Sequence, residues 1–294
     1  MPPVRAPNLS PRSRSILPKT GHRTPKTVLL PSLLLAAALI FTGCGSLANG
    51  RGWGQDATLF PGWDRLGRAA LNAALEPETW APAAGAALFQ IGALDRNLTN
   101  WAAKHTPIFQ SQNNADTASE ALQAAAGAAY VVTALAAPSG DNSDEWISAK
   151  ARGLTVGIAA VALTGGAAEL LKYATNRTRP DKSGRDSFPS GHASITTACN
   201  TLAARNLSSL EMSGAARAGL KTGLLALSLT TAWSRLEAKK HYPSDVLAGM
   251  AIGHFFGAVL NDAFLGLDRS QGPFFALALS PSMQDVSCSI QWSY

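Results

Sequence analysis

The chain has 294 residues, is 46% hydrophobic and only 15% charged, and contains three cysteines. That length can bury a sizeable core, the apolar, Ala-rich mix suits close-packed helices or helices that meet a membrane, and three cysteines exclude a disulfide framework. The formal charge of +6 does not indicate a nucleic-acid partner: Arg5, Arg12, Arg14, Lys19, Arg23 and Lys26 lie in an acid-free stretch before residue 44, and the 19 basic residues left of 25 balance 19 acidic ones.

Those six charges open a leader. A Pro/Ser/Arg-rich start gives way at Val28 to VLLPSLLLAAALIF and then to TGCGS. A basic start, a short apolar run and small residues at a cut site describe an export signal, and the run is shorter than the roughly 20 residues needed to cross a bilayer. The residues F-T-G-C are similar to the lipobox of bacterial lipoproteins, with Phe41 where Leu is usual. This resemblance implies that Cys44 is lipidated and begins the mature chain. It also implies a periplasm-facing envelope protein tethered to a membrane, the outer one favoured by Gly45 after the cysteine. A plain secretory signal or an N-terminal membrane anchor is the alternative. Residues 1–43 read as the export signal.

Residues 44–114 mix Gly, Trp, Asp and Asn, with a modest apolar stretch at 83–94, and form a segment expected either to cover a helical core or to rest at a membrane surface. From Ala118 the apolar period becomes helical, and the pattern predicts helices over 118–137, 147–175, 191–207, 214–236 and 244–265. Glu120, Glu169, Lys172, Arg217 and Lys221 interrupt them, and the mean hydropathy of +0.05 is low for a polytopic protein. A soluble or membrane-associated bundle is therefore expected rather than a multi-span protein. Gly249, Gly253 and Gly257 recur every four residues, a stripe that lets another helix approach closely. Cys199 and Cys288 read as buried small side chains. After Gly266 the alternation in FFALALS and DVSCSIQWSY predicts two short strands, a possible hairpin. The fold class is all-α, a helical bundle, with a core at 115–268 and a tail at 269–294.

HYPSD, residues 241–245, could be no more than a helix start in which Ser244 or Asp245 caps the first turn. The residues upstream change that reading. KYATNRTRP stands at 172–180, FPSGH at 188–192 and SRLEAKKHYPSD at 234–245. In order they give K-x6-R-P, then P-S-G-H, then S-R-x5-H-x3-D. This three-part pattern resembles the signature of the type 2 phosphatidic acid phosphatase and vanadium haloperoxidase superfamily, at every defining position.

The resemblance implies a helical bundle of that type and a metal-independent phosphatase with a phosphohistidine intermediate. It makes His241 the nucleophile, Asp245 the group that orients it, and His192 the general acid that later activates water. Lys172, Arg179 and Arg235 with Ser190 and Gly191 would hold the phosphoryl group. The physical logic agrees. A phosphoryl group in transfer spreads charge over three oxygens and needs fixed donors, which guanidinium pairs supply. Ser190 and the backbone N–H of Gly191, at the start of a helix, form a natural anion cradle. No cofactor and no metal are implied, since no H-E-x-x-H motif or clustered carboxylates stand out. The expected partner is a phosphorylated lipid or a small phosphoester, reached at a membrane through the lipid anchor. A broad-specificity phosphatase on soluble esters, a vanadate-dependent haloperoxidase and a lipoprotein scaffold with a relict pocket are the rival readings. His22, His105 and His254 read as structural.

Overall fold

The computed structural model describes residues 45–47 and 50–266, and beyond them the backbone of two strands. The expected export signal and Cys44 lie outside the described residues. Eight helices are described: α1 Trp63–Leu75, α2 Pro77–Phe89, α3 Leu94–His105, α4 Gln112–Ala136, α5 Ser143–Thr175, α6 Gly191–Leu207, α7 Gly214–Glu237 and α8 Pro243–Phe264. The strands β1 (Phe274–Leu279) and β2 (Val286–Gln291) pair antiparallel, from Phe274↔Gln291 to Leu279↔Val286.

Local chemistry sets the helix starts. Ser111, Asn142 and Ser213 each accept a hydrogen bond from the amide three residues on, at 3.1, 2.9 and 3.2 Å, and so cap α4, α5 and α7. These caps explain why α4 and α5 begin several residues before the apolar period becomes visible. Pro77 and Pro243 occupy the first helical positions of α2 and α8, where a missing N–H has no consequence.

α6 is the central helix, packed by α4, α5, α7 and α8, and most of its residues are buried. Its contact with α8 is nearly backbone to backbone. A Cβ on Gly249 would stand 2.7 Å from the Ser190 carbonyl oxygen, and one on Gly253 would overlap the Ser194 carbonyl. The glycine stripe therefore serves close helix approach. Cys199 is a free thiol buried in the same core.

The sequence pattern did not indicate α1 to α3. Pro82, Gly67 and Gly85 weaken their helical propensity, and α3 is polar on balance; packing on α7 and α8 stabilises them instead. Nor do the tryptophans of this segment act alike. Trp53 is buried over Gly153 and donates to Asn206 Oδ1 at 3.0 Å, whereas Trp63, Trp80 and Trp101 are exposed. Two helices, α5 and α8, are long and apolar enough to cross a membrane. α8 is largely buried in the bundle, while α5 leaves Ile158, Leu163, Leu170 and Tyr173 exposed.

Candidate active site

The three motif segments meet at one end of the bundle. Lys172 is in the last turn of α5, Ser190 is the N-cap of α6, Arg235 is in the last turn of α7, and Asp245 is in the first turn of α8. Helix ends leave amides and carbonyls without internal partners, so this end of the fold is rich in free backbone polarity.

His241 is buried, 2% exposed. Its Nδ1 lies 2.7 Å from the Ser187 carbonyl oxygen and 3.8 Å from Asp245 Oδ2. A carbonyl only accepts, so Nδ1 carries the proton. Burial, with a further push from the Arg235 charge, holds the pKa of His241 below the ordinary value despite the opposing Asp245 carboxylate. A neutral ring with Nδ1 protonated leaves the lone pair on Nε2.

The sequence reading expected Asp245 to hold the ring directly; the direct partner here is the backbone of Ser187. Asp245 instead sits at the centre of a buried network. Its carboxylate accepts from Ser187 Oγ at 2.6 Å, from the Tyr242 amide at 2.8 Å and from Arg177 Nη1 at 2.5 Å. Its backbone oxygen accepts the Ser190 amide at 3.0 Å. One residue therefore caps α8, fixes the Ser187 segment that holds His241, and ties α8 to the start of α6.

Arg177 spans this network. Besides Asp245 it reaches Ser244 Oγ and Asp95 Oδ2, each at 2.7 Å, and it stacks on the Tyr242 ring at 4.4 Å. Asp95, on α3, also accepts the Ser244 amide at 2.8 Å. Sequence reasoning assigned nothing to Arg177, Asp95 or Ser187. The first is an unspecified position inside K-x6-R-P, and the second lies in a segment read only as a cover.

The cations gather around the start of α6. A Cβ on Gly191 would stand 3.3 Å from Lys172 Nζ, so the missing side chain gives the ammonium its room. Arg235 is buried; its Nη1 donates to Asp116 Oδ1 and Ser119 Oγ, both at 2.6 Å. Arg179 donates to Asp186 Oδ2 at 2.6 Å. The Nε donors of Arg179 and Arg235 are buried without a hydrogen-bond partner among the described residues. Buried donors of this kind are rare unless a ligand uses them, and two from two guanidinium groups fit an anion with several oxygens.

His192 is more accessible than His241, and its Nε2 meets Glu120 Oε1 at 2.9 Å. Burial and the nearby Arg235 charge lower its pKa, while Glu120 and Asp116 oppose them. Asp116, Ser119 and Glu120 share one face of α4 and thus serve Arg235 and His192 together. An open cleft of about 690 Å³ begins at Lys172, with Tyr173, Arg185 and Asp186 in its wall.

His105 bonds the carbonyl of Trp101 at 2.8 Å, away from this site, and His254 contacts Thr79 and Glu76.

Comparison with known proteins covers the same stretch of the chain. The PAP2 superfamily matches residues 153–266. Over 97 residues the chain is 36% identical to the lipid A 1-phosphatase of Porphyromonas gingivalis, a match that covers 33% of this chain and 20% of that protein. The chain thus matches about a fifth of the length of that curated relative. No solved structure matches the chain. All the clustered motif residues, Lys172 to Asp245, fall inside the matched stretch, and residues 153–266 constitute a PAP2 superfamily domain.

Proposed function

We propose that the protein is a phosphatase that removes a phosphomonoester or terminal pyrophosphate group from a phosphorylated lipid. The observation that carries this reading is the fixed tautomer of His241, a buried neutral imidazole whose Nδ1 proton is held by Ser187. In this reaction Nε2 attacks phosphorus and forms an N–P bond while the P–O bond to the leaving group breaks. Positive charge then develops on the His241 ring, close to the Asp245 carboxylate. His192 gives its proton to the departing oxygen. In the second half it takes a proton from water, which attacks phosphorus, releases phosphate and frees His241. Lys172, Arg179 and Arg235 supply the charge that the transferring group requires, so no metal ion enters the reaction.

A lipid substrate is supported by α5. Between Arg152 and Glu169 it has no charged residue, and its exposed Ile158, Leu163, Leu170 and Tyr173 give it a broad apolar outer face, of which Tyr173 lines the same cleft as Lys172. That face can rest against acyl chains while the cradle faces the headgroup phosphate. The named activity of the Porphyromonas gingivalis relative, a lipid A 1-phosphatase, supports the same substrate class. Lipidation at Cys44 would hold the enzyme at the membrane surface of the bacterial envelope.

The test is a panel of phosphatidic acid, phosphatidylglycerophosphate, undecaprenyl pyrophosphate, lipid A and p-nitrophenyl phosphate offered to the purified protein. Phosphate release from at least one lipid, at a higher kcat/KM than from p-nitrophenyl phosphate, is expected. Faster turnover of the soluble ester than of every lipid would replace this reading with a broad-specificity phosphatase.

A further inference from the structure

A second group of chemistry-bearing side chains lies away from the phosphate cradle. Glu76 precedes α2, Glu78 is in its first turn, and His254 comes from α8, nine residues past Asp245 and so about 13 Å along the helix. Their carboxylate and imidazole atoms all lie within 4.8 Å of one another. Sequence reading found no clustered carboxylates because the third member is distant in the chain.

Partners already hold two of the three. His254 Nδ1 is 2.8 Å from Thr79 Oγ1, and its Nε2 stands 3.1 Å from Glu76 Oε2. Arg205 grips both oxygens of Glu76, at 2.7 and 3.0 Å, and is itself tied to Asp262 at 3.0 Å. An imidazole and a carboxylate fixed from behind are the usual outer arrangement of metal ligands. Glu78 is exposed and makes no hydrogen bond or ion pair among the described residues.

An independent observation comes from the cleft these residues rim. Glu78 and His254 line a space of about 300 Å³, and so do Asn200 and Thr197 of α6. Both α6 residues are more than nine-tenths buried. Asn200 Oδ1 and Thr197 Oγ1 nevertheless have no hydrogen-bond partner among the described residues. The amide nitrogen of Asn200 is satisfied by Leu224 O and Ser228 Oγ, so its oxygen is the one polar atom of that side chain left without a partner. A buried amide oxygen that can only accept, beside a buried hydroxyl with no partner, calls for a donor such as water in the cleft.

We propose that Glu76, Glu78 and His254 bind a divalent cation of the zinc class, whose bound water donates to Asn200 and Thr197. One imidazole and two carboxylates suit such an ion, with a position left open for water. Its bonds of about 2.0–2.2 Å require the ligand atoms to draw together, and the exposed Glu78 is free to swing in. The ion clamps the start of α2 to α8 and takes no part in phosphoryl transfer. This site does not depend on the phosphatase reading.

Calorimetric titration of Zn²⁺ into the full-length protein, tag-free and stripped with chelator, should show one saturable site. Glu78→Gln changes one exposed side chain and leaves the fold intact. It should weaken Zn²⁺ binding at least about tenfold and abolish the zinc-dependent rise in Tm. His254→Gln should do the same. Absence of saturable binding, or Glu78→Gln binding Zn²⁺ as tightly as the parent, would overturn the proposal.

Discussion

His241 Nδ1 donates its proton to the backbone oxygen of Ser187, 2.7 Å away. That bond leaves the lone pair on Nε2, with the Asp245 carboxylate 3.8 Å from the protonated nitrogen. His241→Ala should therefore reduce turnover to background and abolish the acid-labile phosphoenzyme in a quench experiment. His192→Ala keeps the nucleophile and loses the proton donor. It should cost about 10²–10⁴-fold for esters with strongly basic leaving groups, and less for p-nitrophenyl phosphate, whose leaving group needs little protonation. A substantial rate in His241→Ala would refute the phosphohistidine route.

Glu120 and His192 make a second informative pair, at 2.9 Å. Burial and Arg235 depress the His192 pKa, and Glu120 opposes them by favouring the charged ring. As a general acid His192 must be protonated, so activity on poor leaving groups falls as pH rises through its pKa. Removing the carboxylate charge in Glu120→Gln lowers that pKa further. The basic limb of the kcat profile should shift to lower pH, and an unmoved limb would count against the assignment of His192.

Arg177 holds two buried carboxylates, Asp95 and Asp245. Arg177→Ala leaves both unpaired in the interior, a loss of about 3–5 kcal/mol for a broken buried pair. At this chain length the corresponding fall in Tm is on the order of 10 °C. Arg177→Lys keeps the charge but cannot reach Asp95, Ser244 and Asp245 together, so an intermediate fall is expected by differential scanning calorimetry.

The glycines of α8 and α5 differ in what a methyl group would meet. At Gly253 it collides with the Ser194 carbonyl of α6, whereas at Gly166 nothing stands within 4 Å. Gly253→Ala should force α8 off α6 and lower the Tm by several degrees. Gly166→Ala should be neutral or raise stability by about 0.5–1 kcal/mol, because it removes backbone freedom from a helix interior.

Cys44 can be tested by labelling. Cys44→Ser should abolish incorporation of radiolabelled palmitate and leave an unprocessed precursor on gels. A wild-type chain that is cleaved but unlabelled would exclude the lipid anchor.

The sequence by itself determined the order and spacing of the chemistry. Lys172, Arg179, Ser190, Gly191, His192, Arg235, His241 and Asp245 stand out because their order and spacing resemble a family signature, and the caps, Pro and Gly around them mark the helix ends where they sit. The α6 bounds at 191 and 207 follow from the same local signals. The alternation of helix and breaker likewise fixed an all-α bundle. Only the tertiary structure decided which partners complete the site. Asp95 meets Arg177 across 82 residues of chain, Glu120 meets His192 across 72, and Ser187 meets His241 across 54. None of these pairs leaves a periodic or capping trace, because a side chain's partner across the bundle is set by how the helices pack. The same holds for α1 to α3, weak helix formers that exist by virtue of the surface beneath them, and for Asp245. Its sequence position announces a helix cap, and its burial among Arg177, Ser187 and Tyr242 makes it the centre of the site's scaffold.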